Sequence, residues 1–97
     1  MIYHIADQVS WEKAAVSGLY EHPSLIKEGF IHTCHDVQVA SVRKRYYAGE
    51  KQLILLHIDE AVVSSLIKYE LAPSVNEIFP HIYGPLNIDA VIKIEII

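Results

Sequence analysis

Eight residues, Phe79-Pro80-His81-Ile82-Tyr83-Gly84-Pro85-Leu86, constrain this 97-residue chain more than any other stretch. Each proline fixes φ and removes a backbone donor, and Gly84 permits backbone geometry closed to other residues. Neither an amphipathic helix nor a plain strand calls for that mixture, so the segment is expected to hold a rigid, irregular path. Where it is extended, His81 and Tyr83 leave it on the same side. The expectation is one wall of a cleft, with those two side chains as its working groups.

A chain of this length makes one compact domain, residues 1–97, with no room for a second core. Its 52% hydrophobic content points to strands buried on both faces. The single cysteine, Cys34, excludes an internal disulfide and suits a reducing compartment. The first residues lack a basic region and an apolar run, and no stretch is long and apolar enough to span a bilayer, so a cytoplasmic location is expected. The formal charge is −4 and reaches +2 once all six histidines are protonated, so it is sensitive near pH 6. That acidity argues against binding DNA, which needs many lysine and arginine contacts. Arg43-Lys44-Arg45 is the only basic run, enough for one anionic ligand.

In chain order, Ile2 to Ile5 reads as a strand and Trp11 to Ser17 as a helix, with Ser10 as N-cap and Gly18 as stop. Trp11, Ala14 and Ala15 share its apolar face. A turn capped by Ser24 covers residues 25–28, and Phe30 to Cys34 reads as a strand with Phe30, His32 and Cys34 on one face. Asp36 is expected to cap the longest helix, residues 37–48, whose stripe is Val39, Val42 and Tyr46. Leu53 to Ile58 is apolar on both faces, as a central strand is, and residues 66–71 form another strand. Residues 72–78 read as a loop. The final strand, residues 88–97, is expected to turn Ile92, Ile94 and Ile96 to the core and Lys93 and Glu95 to water. The order β-α-β-α-β-β-β describes an α+β domain.

Four of the six histidines, His4, His32, His57 and His81, fall in or beside strands. A buried imidazole needs partners for both nitrogens. His57 reads as an ordinary core or edge residue; His4, His32 and His81 could meet in one cleft to bind a polar ligand or move protons. A metal site is the rival reading, but His32 and His35 chelate together only if the strand ends at Thr33, and neither an HExxH pattern nor paired cysteines are present, so no metal is expected. Cys34 is a nucleophile only if activated, and otherwise a small buried hydrophobe. Glu70, after Lys68-Tyr69, is a candidate carboxylate on a strand end. The four glycines all fall at turns or helix stops, leaving no phosphate loop.

Tyr3-His4-Ile5, Trp11-Glu12, Gly29-Phe30-Ile31-His32, Leu56-His57-Ile58-Asp59, Lys68-Tyr69-Glu70 and the Phe79–Leu86 block together resemble the bacterial domain-of-unknown-function family 952 across essentially the whole chain. The resemblance implies an ADP-ribosyltransferase-like fold: a small split β-sheet clasping NAD, with two main α-helices in the N-terminal half. It implies His4, His32, Glu70 and His81 as catalytic residues, with Glu70 or His81 at the nicotinamide ribose. Tyr3, Thr33, Arg43 and Tyr83 become the cofactor contacts. It also resembles the RNA 2′-phosphotransferase branch, so an RNA or protein acceptor is implied. No arginine accompanies His4 or His32, which leaves the NAD diphosphate to Arg43, Lys44 or backbone amides, and predicts loss of function above pH 7 if imidazolium holds it. Three readings stay open: an NAD-linked transferase, a non-catalytic nucleotide- or protein-binding module and, more weakly, a histidine-bound metal enzyme.

Overall fold

Asp7 decides where the first helix starts. The computed structural model describes residues 1–97, and in it strand β1, Ile2–Asp7, runs directly into helix α1, Gln8–Ser17. Asp7 is still extended, and its Oδ1 accepts the Ser10 N–H at 2.8 Å, so it takes the capping role expected of Ser10 three residues later. Gly18, at φ 91°, ends the helix with its N–H on the Ala14 carbonyl. Ala14 is buried and Trp11 packs half-buried against the same core, but Ala15 is exposed.

Helix α2, Ser24–Lys27, is a single turn, with Pro23 rather than Ser24 at its cap position. The third helix also starts differently from expectation. A 3₁₀ turn, Asp36–Gln38, precedes α3, Val39–Tyr46, and His35 caps it instead of Asp36, its N–H donating to Gln38 Oε1 at 2.8 Å.

The strands form a split antiparallel sheet. One half has the order β1-β4-β8, with β4, Leu53–Ile58, in the centre as its apolar sequence requires, and β8, Val91–Ile96, at the edge. The other half has the order β3-β6-β5: Ile31–His32, Glu77–Tyr83 and Leu66–Ala72. A short pair, β2 (Leu19–Tyr20) with β7 (Leu86–Asn87), closes one side. This is an α+β fold with its two longer helices in the N-terminal half. None of its helices is long and apolar enough to cross a membrane.

The Phe79–Leu86 block corrects the expectation of an irregular path, because its first five residues belong to the central strand of the second half-sheet. Residues 77 and 78, expected in a loop, already pair with β5. Pro80 is tolerated there for a local reason. Thr33 donates both its N–H (3.2 Å) and its hydroxyl (2.6 Å) to the Pro80 carbonyl, so Pro80 addresses β3 and its missing donor falls where β3 ends. One residue on, Cys34 has left β6 and exchanges hydrogen bonds with Tyr3 of β1, both at 2.8 Å. The two half-sheets part at this crossing. Gly84 does need its special geometry: at φ 151° a Cβ would lie 2.5 Å from Ser65 Oγ.

The main core gathers Ile2, Tyr20, Ile31, Leu56, Ile58, Ile82 and Leu86 between the half-sheets and α1. A smaller cluster of Ile5, Leu53 and Leu55 packs under α3. The isoleucines of β8 miss the core. Ile92, Ile94 and Ile96 are 60%, 47% and 82% exposed, because an edge strand carries its apolar row past the elements that cover its neighbours.

Candidate functional site

Where the half-sheets part, a cleft of about 640 Å³ opens beneath α3. Val42, Tyr46 and Tyr47 close it from the helix side, Tyr3 and Ile5 from β1, and Leu71 and Phe79 from the hairpin β5–β6. The opposite end is polar and aromatic, with His22, Glu28, Phe30, His32 and His81. No lysine or arginine lines it.

His81 and Tyr83 do leave β6 on one side, and Glu70 on the neighbouring β5 meets both. Its Oε1 accepts from His81 Nδ1 at 2.9 Å and from the Tyr83 hydroxyl at 2.5 Å. Those bonds, Tyr83 first, hold the Glu70 carboxyl below its usual range, and the same bond keeps the Tyr83 phenol protonated by raising its pKa. A carboxylate only accepts, so Nδ1 of His81 carries a proton, and in the neutral ring Nε2 holds the lone pair. Nε2 makes no hydrogen bond within the protein, and no buried polar side-chain atom lacks a partner, so Nε2 is open to the cleft. Phe30 stacks on the ring at 4.0 Å between centroids and 17° between planes, which fixes its orientation.

His32 stands directly opposite His81 in the β3–β6 ladder, with ring centroids 5.5 Å apart. Its Nε2 meets the Glu28 carboxylate, leaving Nδ1 free, and Phe30 lies against it at 4.8 Å. His22, absent from the sequence-derived set, is a third cleft imidazole. Its Nδ1 accepts the Ser24 N–H at 3.1 Å, which assigns its proton to Nε2, and burial lowers its pKa. Phe30 could have been found, since it shares the His32 face of the strand; His22 sits in a connector with no periodic pattern to mark it.

His4 corrects the expectation that it holds ribose or phosphate. It is 2% exposed and does not reach the cleft. Nδ1 donates to the His32 carbonyl at 2.5 Å and Nε2 accepts from the Tyr20 hydroxyl at 2.9 Å. Burial lowers its pKa from 6.5 to about 3, so it is neutral and cannot hold a diphosphate. It supports the site from behind by fixing the His32 backbone.

The remaining expected residues divide. Tyr3 lines the cleft, set edge-on against His57 at 4.9 Å, and His57 is held in turn by Glu95 at 2.7 Å. Thr33 lines it with its hydroxyl committed to Pro80. Arg43 stays outside, its Nη1 donating to the Tyr47 carbonyl at 3.3 Å to finish α3. Tyr83 acts on Glu70 and does not line the cavity. Cys34 lines it, but burial pushes its thiol up to about 11, so it is not a ready nucleophile. No three histidine, cysteine or acidic side chains are grouped closely enough to hold a metal ion.

Residues 5–94 match the family described as protein of unknown function (DUF952), and the chain belongs to that family. The crystal structure of protein CC0527 from Caulobacter crescentus is similar with a TM-score of 0.86 at 26% identity, over 96% of this chain and 82% of that one. The solution NMR structure of CC0527 gives a TM-score of 0.81 at 26% identity, over 96% and 80%. No curated protein matches the chain.

Proposed function

We propose that the cleft binds a nucleoside-type ligand: the nicotinamide–ribose half of NAD or of an NAD derivative. The observation that carries this is the imidazole of His81, held by Glu70 on one nitrogen and open to an aromatic cleft on the other. An imidazole nitrogen with a fixed lone pair accepts from a ribose hydroxyl, and His32 Nδ1 offers a second acceptor across the ladder. The aromatic rings of Tyr3, Phe30, Tyr46 and Tyr47 suit a flat ring, and a positively charged one best. The charges beside the imidazoles are carboxylates, Glu28 and Glu70, which favour the cationic nicotinamide ring and any positive charge developing on its ribose.

The same electrostatics disfavour the diphosphate. With no lysine or arginine on the walls and His4 neutral behind them, the phosphates stay at the mouth in water, and RNA 2′-phosphate chemistry lacks the cation it needs. Bound NAD supplies a glycosidic bond whose cleavage releases neutral nicotinamide. The protein's part in that is to orient the ribose with His81 and His32 and to keep water off the ring with its aromatic walls. One observation favours binding without turnover: Glu70 Oε1 already accepts two hydrogen bonds, and the residue stands back from the cavity.

Ligand-observed NMR against NAD, nicotinamide riboside and ADP-ribose tests the reading, with nicotinamide release followed by chromatography. NAD and the riboside are expected to bind and ADP-ribose to bind at least about tenfold more weakly, since it lacks the ring. Silence from both nicotinamide compounds sinks the proposal. Binding without release identifies a binding module instead of a transferase.

A further inference from the structure

Each half-sheet ends in an open edge strand, β8 in one and β5 in the other. They are not equivalent. The β8 register slips between His57 and Ile58, which leaves Ile92 out of the ladder, and a bulge of that kind twists an edge away from further pairing. Strand β5 has no such break: it pairs with β6 without interruption from Leu66↔Tyr83 to Ala72↔Glu77 and contains neither proline nor glycine.

The direction of its free backbone groups follows from one hydrogen bond. Thr33 donates to the Pro80 carbonyl, so Pro80 and every second residue of β6 address β3. The residues between them, Phe79 and His81, address β5 and engage Glu70 and Lys68. Ile67, Tyr69 and Leu71 therefore turn their N–H and C=O groups away from β6, and no turn, loop or cap hydrogen bond uses them. Tyr69 and Leu71 are also exposed.

We infer that β5 pairs antiparallel with β5 of a second copy of this chain, in a register centred on Tyr69. Any two-fold register centred on a residue of β5 sets outward-facing residues opposite each other and so joins the free groups of both strands, but the one centred on Tyr69 also matches the side chains. Ile67 then faces Leu71 of the second copy, the tyrosines face each other, and Lys68 faces Glu70 of the second copy. That last pair falls at a non-hydrogen-bonded position, where facing side chains come closest. Centring on Lys68 or Glu70 would oppose like charges. The assembly brings Lys68 of the second copy beside the carboxylate that holds His81, so each copy contributes a residue to the other's candidate site. The inference stands whether or not a nucleoside binds there.

Sedimentation of the full chain from micromolar to millimolar concentration is expected to show a species of twice 11.0 kDa. Lys68→Glu sets carboxylates against each other in both symmetry-related pairs and is expected to raise the dissociation constant by roughly tenfold or more. The double variant Lys68→Glu/Glu70→Lys restores the opposite charges and is expected to restore the dimer. Tyr69→Pro removes the central outward donor but no hydrogen bond to β6, and is expected to leave a folded monomer by circular dichroism. If that variant unfolds, the charge-reversal pair decides alone. A monomer at every concentration overturns the inference. So does a dimer indifferent to Lys68→Glu, or a charge swap that stays folded and fails to reassociate.

Discussion

His4 and His81 are nearly equally buried, at 2% and 8% exposure, both lie on strands, and both carry their proton on Nδ1. What separates them is the second nitrogen. In His4 it is closed by the Tyr20 hydroxyl, and the first bonds a neutral carbonyl, so burial outweighs what that bond and Asp7 do for a charged ring and decides its protonation. In His81 it faces the cleft, and the first nitrogen rests on a carboxylate. Burial alone therefore says nothing about whether a strand histidine serves the fold or a ligand. The partner of each nitrogen does.

The sharpest way to break that comparison is to remove each ring. His4→Ala leaves the Tyr20 hydroxyl and the His32 carbonyl buried without partners and opens a cavity beside them, an expected cost of about 3 kcal/mol, or roughly 10–20 °C in melting temperature. His81→Ala loses a stacking contact and one partly exposed hydrogen bond to Glu70, and is expected to cost about 1 kcal/mol by denaturant titration while abolishing binding of the nicotinamide compounds. Equal stability losses from the two would erase the distinction.

Acid gives the next largest effect, and its sign comes from His4. The unfolded residue titrates near 6.5 and the folded one near about 3, so below pH 6.5 the unfolded chain takes up a proton that the native state refuses. Stability is fully present above pH 6.5 and is expected to fall by up to about 1.4 kcal/mol per pH unit from there towards pH 3. His22, also lowered by burial, adds in the same direction. In His4→Gln the slope measured by urea unfolding between pH 6.5 and 4.5 is expected to shrink; an unchanged slope would mean that other groups set it.

Much of this frame was legible in the sequence, for reasons that are local. Leu53 to Ile58 is apolar on both faces, which only a central strand tolerates, and Gly18 stops α1 as a left-handed cap does. His81 and Tyr83 share a side because alternation on a strand does not depend on what surrounds it. The failures are tertiary. Pro80 argued against a central strand until Thr33 showed that its missing donor falls where β3 leaves the sheet. Ile92, Ile94 and Ile96 had the pattern of a buried row, but alternation cannot tell an edge strand from an inner one. His4 looked like a ligand contact because nothing in its neighbourhood in sequence announces Tyr20, sixteen residues away, as the group that closes it.

Glu70→Gln sharpens the comparison without removing a ring. Glutamine keeps the shape and one acceptor oxygen but not the charge, so the fixed tautomer of His81 is no longer enforced. Nitrogen NMR of the imidazole is expected to show the proton on Nδ1 in the unmodified protein and a mixture in the variant, with affinity for nicotinamide riboside falling by about tenfold. A purely structural Glu70 would change stability and leave the tautomer and the affinity where they were.

Tyr83→Phe carries the smallest expected effect and tests whether Glu70 needs both of its donors. The phenol hydroxyl is the first cause of the lowered Glu70 carboxyl, and it meets the same oxygen as His81, so it fixes where that oxygen sits. Without it, one hydrogen bond still joins Glu70 to His81, and Lys68, whose Nζ lies 4.9 Å from the Tyr83 ring centre, keeps an aromatic face to rest on. Affinity for nicotinamide riboside is then expected to fall only about threefold, with the His81 proton still on Nδ1. A loss as large as that of Glu70→Gln would mean that the tyrosine, and not the glutamate alone, sets the imidazole that separates His81 from His4.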